Sequence, residues 1–314
     1  MNKMLNKLNE LNMSLRNIVK IGGSYYIALP KKWVKEYNID KVKLLNIQFR
    51  DDGILEIIPL NFGYHEQRLI KLIAGPLLKR KLVAAYLKGY EVIEVDIKEQ
   101  DYKEILALIE DLQKILIGLE IVEESEKKIV VQCFTTNEYQ LESLLYRMDS
   151  ISRKMYIDAV TAYEKGDVNL AESVKRRDNS LDRIYFLTVR TIRTRIMNPL
   201  TSKNERLLLL DYRLLARDLE EIGDIGEEIA YLIGKEKTVC ELGGIINEIA
   251  KYQHEIVKNI LLNKGNRCGN ECFEKFQYLR DTVTELRLAK DNCYEVLHKI
   301  NNILQKIKDI QDLA

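Results

Sequence analysis

From Asn137 to Ala314 apolar residues recur at i, i+3 and i+4, and Pro199 is the one proline in that stretch. This spacing lines apolar side chains along one face of a helix, and such a face must be buried against another helix. Breaks fall at Glu164 to Asp167 (EKGD), at Asn198-Pro199, near Gly234 and around Gly265 to Gly269. The expectation is five long helical segments, folded back on one another as an antiparallel bundle.

A chain of 314 residues exceeds one ordinary core and implies two or three domains. Its 46% hydrophobic and 31% charged residues suit a soluble, mostly helical protein. With 49 Lys and Arg against 48 Asp and Glu, the net charge of +1 points to no partner, so any nucleic-acid affinity must be local. No run of about 18 apolar residues occurs, so no membrane insertion is expected. The opening segment 1–15 lacks a secretory signal and reads as a flexible extension, with the amphipathic spacing of Leu5, Leu8 and Leu11 as its only pattern. Cys133, Cys240, Cys268, Cys272 and Cys293 read as reduced thiols of a cytoplasmic protein. Cys268 and Cys272 lack a second Cys/His pair at zinc spacing, which leaves their role open.

The fold class expected is multi-domain α+β, mostly α. Residues 16–60 alternate as hairpin strands: RNIVKI, a break at Gly22-Gly23, YYIAL, a helical turn from Lys31 to Tyr37, then VKLLNIQF and ILEII around Asp51-Asp52-Gly53. Residues 64–136 read as a small α/β connector. It has one helix through LIKLIAGPLLKRKLVAAYLKG, a strand in YEVIEVDI, a helix through DYKEILALIEDLQKILIG capped near Gly118, and a hairpin from LEIVEE and KKIVVQCF. His65 in this region reads as a surface residue. Residues 137–314 are the bundle.

Within the bundle, RDLEEIGDIGEEIA (217–230) places two glycines in a helical pattern, each costing about 1 kcal/mol relative to alanine. At about 100° per residue, Leu215, Leu219, Ile222, Ile225 and Ile229 form one apolar arc. Glu220, Asp224 and Glu227 form an acidic stripe on the other side, with Glu228 close by, and like charges at i, i+4 repel. Gly223 and Gly226 lie between the stripes, where a missing side chain lets another helix approach. On the preceding helix, Asp178 and Asp182 flank an apolar face made by Leu181, Ile184 and Tyr185. Two consecutive antiparallel helices would line one groove with these acids, a set of oxygen donors suited to hard or borderline cations. The competing reading is an ordinary solvated face, paired with Arg176, Arg177, Arg183 and Arg217.

The segment LLARDLEEIGDIGEEIAYLI resembles the repeat of the PhoU family of phosphate-signalling helical bundles, whose pattern is A-R-x-L-E-R-I-G-D-H-A-x-N-I-A. Ala216, Arg217, Leu219, Glu220, Ile222, Gly223, Asp224, Ile229 and Ala230 occupy matching places. RRDNSLDRIY resembles the companion E/D-x-x-x-D helix. The resemblance implies a surface metal cluster held by Asp178, Asp182, Glu220 and Asp224, with Glu228 at the family's asparagine position. The ions implied are divalent or trivalent: iron, Mn, Mg, Zn or Ni. Glu221 and Ile225 replace the family's arginine and histidine, so cluster size and metal identity stay open. The resemblance covers about residues 140–314, but a second repeat is weak: beyond Gly234 the comparable spacing is Asp281 with Glu285. One cluster at most is expected, with His254 and His298 as surface or interface residues.

Arg16 to Ile58, through IVKIGGSYYIALPKKWVKEYNI and DDGILEIIP, resembles the SpoVT/AbrB swapped-hairpin family, also found in MazE-type antitoxins. That resemblance implies a homodimer through this domain and DNA contacts from Arg16, Lys20, Ser24, Lys31 and Lys32. Residues 1–50 hold ten Lys and Arg against three acids (Glu10, Glu36, Asp40), and such a patch binds phosphates by counterion release. Together the two resemblances, a pairing similar to archaeal PhoU-like regulators, imply a DNA-binding transcriptional or signalling regulator of phosphate uptake. Its partners would be DNA and a phosphate-transport or signalling protein, with the metal-binding bundle as sensor. The alternatives are a metal-binding adaptor or store whose N-terminal domain only dimerises, or an antitoxin-like protein. No enzyme is expected, because di-iron bundles need Glu-x-x-His pairs on facing helices and the bundle is expected to lack them.

Overall fold

The computed structural model describes residues 15–42, 44–49, 53–59, 68–98, 101–135, 139–233, 240–262, 270–290 and 293–313. The chain divides at residue 66 into two compact units. The expected extension (up to residue 14), His65 and Cys268 lie outside the described residues.

In the first unit, β1 (Ile18–Ile21) pairs antiparallel with β2 (Ser24–Ile27). Gly22 takes the turn between them at φ +61°, a conformation open to glycine. Helical turns α1 (Lys31–Glu36) and α2 (Ile39–Val42) lead to β3 (Leu45–Phe49), which pairs antiparallel with β4 (Leu55–Pro59). Both hairpins match the alternation in the sequence, although Asp51 and Asp52 fall outside the described residues. Every residue of β1 and β2 is exposed, including Ile18 (70%) and Tyr25 (71%), and Phe49 on β3 is 87% exposed.

The second unit begins with a four-stranded sheet of order β5-β6-β8-β7, made by β5 (Leu69–Ile73), β6 (Val92–Asp96), β7 (Leu119–Ser125) and β8 (Lys128–Cys133). β5 and β6 run parallel and the other pairs antiparallel. The segment LIKLI, read from sequence as the start of a helix, is therefore a strand. Its apolar spacing suits either period, and pairing with β6 decides it. Helix α3 (Leu78–Leu87) is the crossover that a parallel pair requires. It joins α4 (Tyr102–Ile115) in a core with Leu82, Ile93, Val95, Ile109, Leu112 and Val131. Asp101 caps α4 by accepting from the Lys103 N–H at 2.8 Å.

Six long helices follow among the described residues: α5 (Leu141–Lys165), α6 (Val168–Met197), α7 (Lys203–Ala230), α8 (Gly243–Leu262), α9 (Asn270–Ala289) and α10 (Tyr294–Gln311). The count exceeds the expected five because the chain also breaks between Ala289 and Tyr294, where no glycine or proline marks it. The turn at EKGD forms as expected, with Gly166 left-handed at φ +67° and Asp167 capping α6 through the Leu170 N–H. Ser202 caps α7 in the same way. Helix α5 packs against α6, α7 and α8, while α10 closes against α7, α8 and α9. The sheet layer rests on α6 through α3 and α4, and Phe186 of α6 packs into its core.

The cysteines depart from the expectation of free thiols. Cys240 and Cys293 are joined by a disulfide that ties the approach to α8 to the start of α10, with Cα atoms 6.2 Å apart. Cys272 is disulfide-bonded too, whereas Cys133 is a buried free thiol. Neighbours in space, not spacing along the chain, decide such pairings.

Candidate functional site: an acidic groove between two helices

Helices α6 and α7 approach closely because α7 carries glycine where they touch. A Cβ at Gly223 would sit 2.1 Å from Leu181 Cδ2 on α6, and one at Gly226 only 3.1 Å from the Tyr156 backbone N on α5. Leu215, Leu219, Ile222 and Ile229 are buried in the bundle core, as the periodicity requires, and Ile225 packs at its edge. The contact of Gly223 with Leu181 also fixes the acids. Asp178 lies three residues before Leu181 and Asp182 one after it, just as Glu220 and Asp224 flank Gly223. One helix contact thus brings two i, i+4 acidic pairs face to face.

These acids lack counter-charges. Among the described residues no basic side chain pairs with Asp178, Asp182, Glu220 or Asp224, and Asp178 Oδ1 is buried without any hydrogen-bond partner. Three neighbouring cations are engaged elsewhere, whereas Arg176 and Arg183 are exposed. Arg177 binds Asp158 at 2.5 Å, Arg217 binds Glu221 at 2.6 Å, and Lys306 binds Glu221 and reaches Asp218 at 3.6 Å.

Loss of water, and then the charges of Asp182, Glu227 and Asp224, push the Asp178 carboxyl up to about 7. Burial followed by Asp224 and Asp182 raises Glu220 to about 7, and burial followed by Asp182 and Glu227 raises Asp224 to about 6. Asp182 is raised by burial and by Glu227. Both causes penalise the ionised form, so the folded chain resists carrying these negative charges together.

Glu227 belongs to this group, since its charge acts on Asp178, Asp182 and Asp224. Its place on the acidic stripe was the signal for it. Glu228, at the family's asparagine position, is instead held by Lys299 of α10 at 2.5 Å, although its charge still reaches Asp224. The donor set is all carboxylate, which fits hard cations by chemistry. Among the described residues no three His, Cys, Asp or Glu side chains come together closely enough to hold a metal ion.

His254 is partly exposed, with Nδ1 3.3 Å from Asp149 Oδ2. His298 is exposed and stacks on Tyr294. Contrary to the sequence expectation, one Glu-x-x-His spacing does occur, at Glu295 and His298 on α10. It is a single pair, whereas a di-iron bundle needs two on facing helices. Asp281 pairs with Arg280 at 3.1 Å rather than joining a second acidic cluster. In the first unit Arg16, Lys20, Ser24, Lys31 and Lys32 are all exposed, and the Lys20 ammonium lies 5.6 Å from the centre of the Tyr25 ring.

Residues 145–233, which span most of α5 and all of α6 and α7, match the family model described as the PhoU domain. This helical segment is PhoU-like. The match contains the acidic groove and ends before α8, where the second repeat was weak. A Clostridium acetobutylicum protein named phosphate-specific transport system accessory protein PhoU homolog is 28% identical over 174 residues, covering 54% of this chain and 69% of that protein. The crystal structure of PhoU from Pseudomonas aeruginosa aligns with a TM-score of 0.40 at 16% identity, over 55% of this chain and 89% of that one. Among the described residues no helix is long and apolar enough to cross a membrane.

Proposed function

We propose that this chain is a cytoplasmic regulator of phosphate uptake in which the PhoU-like bundle binds cations and docks a phosphate-transport or signalling protein, while the first unit dimerises and binds DNA. The observation that carries the bundle half is the group of facing carboxylates without a counter-cation, inside the segment that matches the PhoU domain. Asp178, Asp182, Glu220 and Asp224 would hold the ion, with Glu227 beside them. A divalent or trivalent cation would offset the repulsion that raises their proton affinities. Elemental analysis of protein purified without chelator tests this. The wild type should carry Mg, Mn, iron or a similar metal, and the double variant Asp182→Asn, Glu220→Gln should lose it with helicity intact. Full metal retention by that folded variant overturns the ligand assignment.

For the first unit, the supporting observation is exposure. A two-stranded hairpin whose residues are all exposed is marginal alone, and a second copy of this chain can supply the missing core, as in a swapped-hairpin dimer. Placing Lys at Ile18 and Ile27 should turn the dimer into a monomer in sedimentation. The basic residues then act as phosphate contacts: Lys31→Ala with Lys32→Ala should weaken binding on every DNA sequence and flatten its salt dependence. Dimerisation and metal binding without salt-dependent DNA binding would favour the adaptor or store.

A further inference from the structure

A second site of quite different chemistry lies between the sheet layer and the C-terminal half of α6. It is a cavity of about 430 Å³ whose walls include Glu91, Gln132, Thr135, Arg190 and Thr194. Arg190 is only 4% exposed. Its Nη1 donates to the Tyr86 carbonyl at 2.5 Å and its Nε to Thr135 Oγ1 at 3.0 Å, while the guanidinium lies 4.8 Å from the centre of the Tyr86 ring. Among the described residues no carboxylate forms an ion pair with it. Buried guanidinium groups ordinarily have one, because an uncompensated charge away from water is costly. A guanidinium carries five N–H donors in a planar fork, and those not taken by Tyr86 and Thr135 remain for the cavity that Arg190 lines.

The cavity also has an acceptor of protons. Glu91 also lines it, and the charges of Arg190 and Glu91 act in opposite senses on the Cys133 thiol, which places both near that point. The pair sets a double requirement on a ligand: oxygen acceptors for the fork, and a hydroxyl that can donate to a carboxylate. A fully deprotonated oxyanion such as sulfate meets the first and opposes the second.

We propose that this cavity binds a small protonated oxyanion, of which inorganic phosphate is the probe, with Arg190 holding its oxygens and Glu91 accepting its P–O–H. The site stands on the cavity itself, so metal content and DNA binding can each fail without touching it.

The test is calorimetric titration of the full chain, with chelator present, using phosphate, sulfate and acetate. Phosphate should bind saturably, with sulfate weaker by at least about tenfold, because a site built around a hydrogen bond rejects the analogue that lacks it. Arg190→Lys should weaken phosphate by at least about tenfold, since an ammonium cannot reproduce the fork. Glu91→Gln leaves the contacts of Arg190 in place and should bring the phosphate-to-sulfate ratio towards one. The Lys31→Ala, Lys32→Ala variant should bind phosphate as the wild type does. The proposal is overturned if the wild type shows no saturable phosphate binding, or if sulfate or acetate binds as well as phosphate. It also fails if folded Arg190→Lys binds undiminished, if Glu91→Gln leaves the ratio unchanged, or if binding disappears with the two lysines.

Discussion

Two acidic regions of the same bundle have opposite designs. On α5, Asp149 is fully buried and every partner it needs is present: Arg153 at 2.9 to 3.1 Å, Gln253 Nε2 at 3.0 Å and His254 at 3.3 Å. Asp158, on the same helix, is likewise shared by Lys154 and Arg177. On α6, Asp178 is only half-buried, yet one of its oxygens has no partner, and the charges that shift its carboxyl are those of other acids. The first arrangement is closed and can only hold helices together. The second sets like charges against one another with no basic partner among the described residues, which costs stability.

The comparison can be broken most sharply at Asp149. Asp149→Ala strands Arg153 and Gln253 and should lower stability by about 3–5 kcal/mol in denaturant unfolding. Asp178→Asn should cost little or even stabilise the metal-free protein. Equal losses at the two positions would erase the distinction. Next in size is Gly226→Ala, which pushes a methyl against the α5 backbone and should cost about 1–3 kcal/mol. It should also loosen the facing of the acidic pairs, which a fall in metal affinity would report.

A smaller effect follows from titration. The folded carboxyls of Asp178 and Glu220 sit at about 7, above the usual range near 4, so the folded state binds more protons than the unfolded between those values. Their contribution is therefore complete below about pH 4 and is lost as pH rises through about 7. Thermal melts of metal-free wild type against Asp178→Asn, Glu220→Gln should show the wild type losing stability relative to the variant over that window. A pH-independent difference would count against the uncompensated charges. Smallest is Lys299→Ala, which frees an exposed pair with Glu228 and should change stability by less than about 1 kcal/mol.

The acidic stripe and the paired glycines were legible because a helix converts spacing directly into faces. Gly223 reads as a close contact from its position alone, and Leu181 receives it. What escaped depends on tertiary neighbours. LIKLI had apolar residues compatible with helix or strand, and only β6 beside it settles the matter. Cys240 and Cys293 are 53 residues apart, with no local mark of their bond. Arg190 is one of several arginines towards the end of α6, and nothing in TVRTIRTR marks it as the one buried beneath the sheet layer. Glu228 against Glu227 is a one-residue choice that rests on Lys299, a side chain from another helix.

Helix α6 runs unbroken for 30 residues and carries Asp178 and Arg190 twelve positions apart, about 18 Å along one axis. A rod of this kind hardly stretches, so the spacing between its acidic part and its arginine beneath the sheet is set by this one helix.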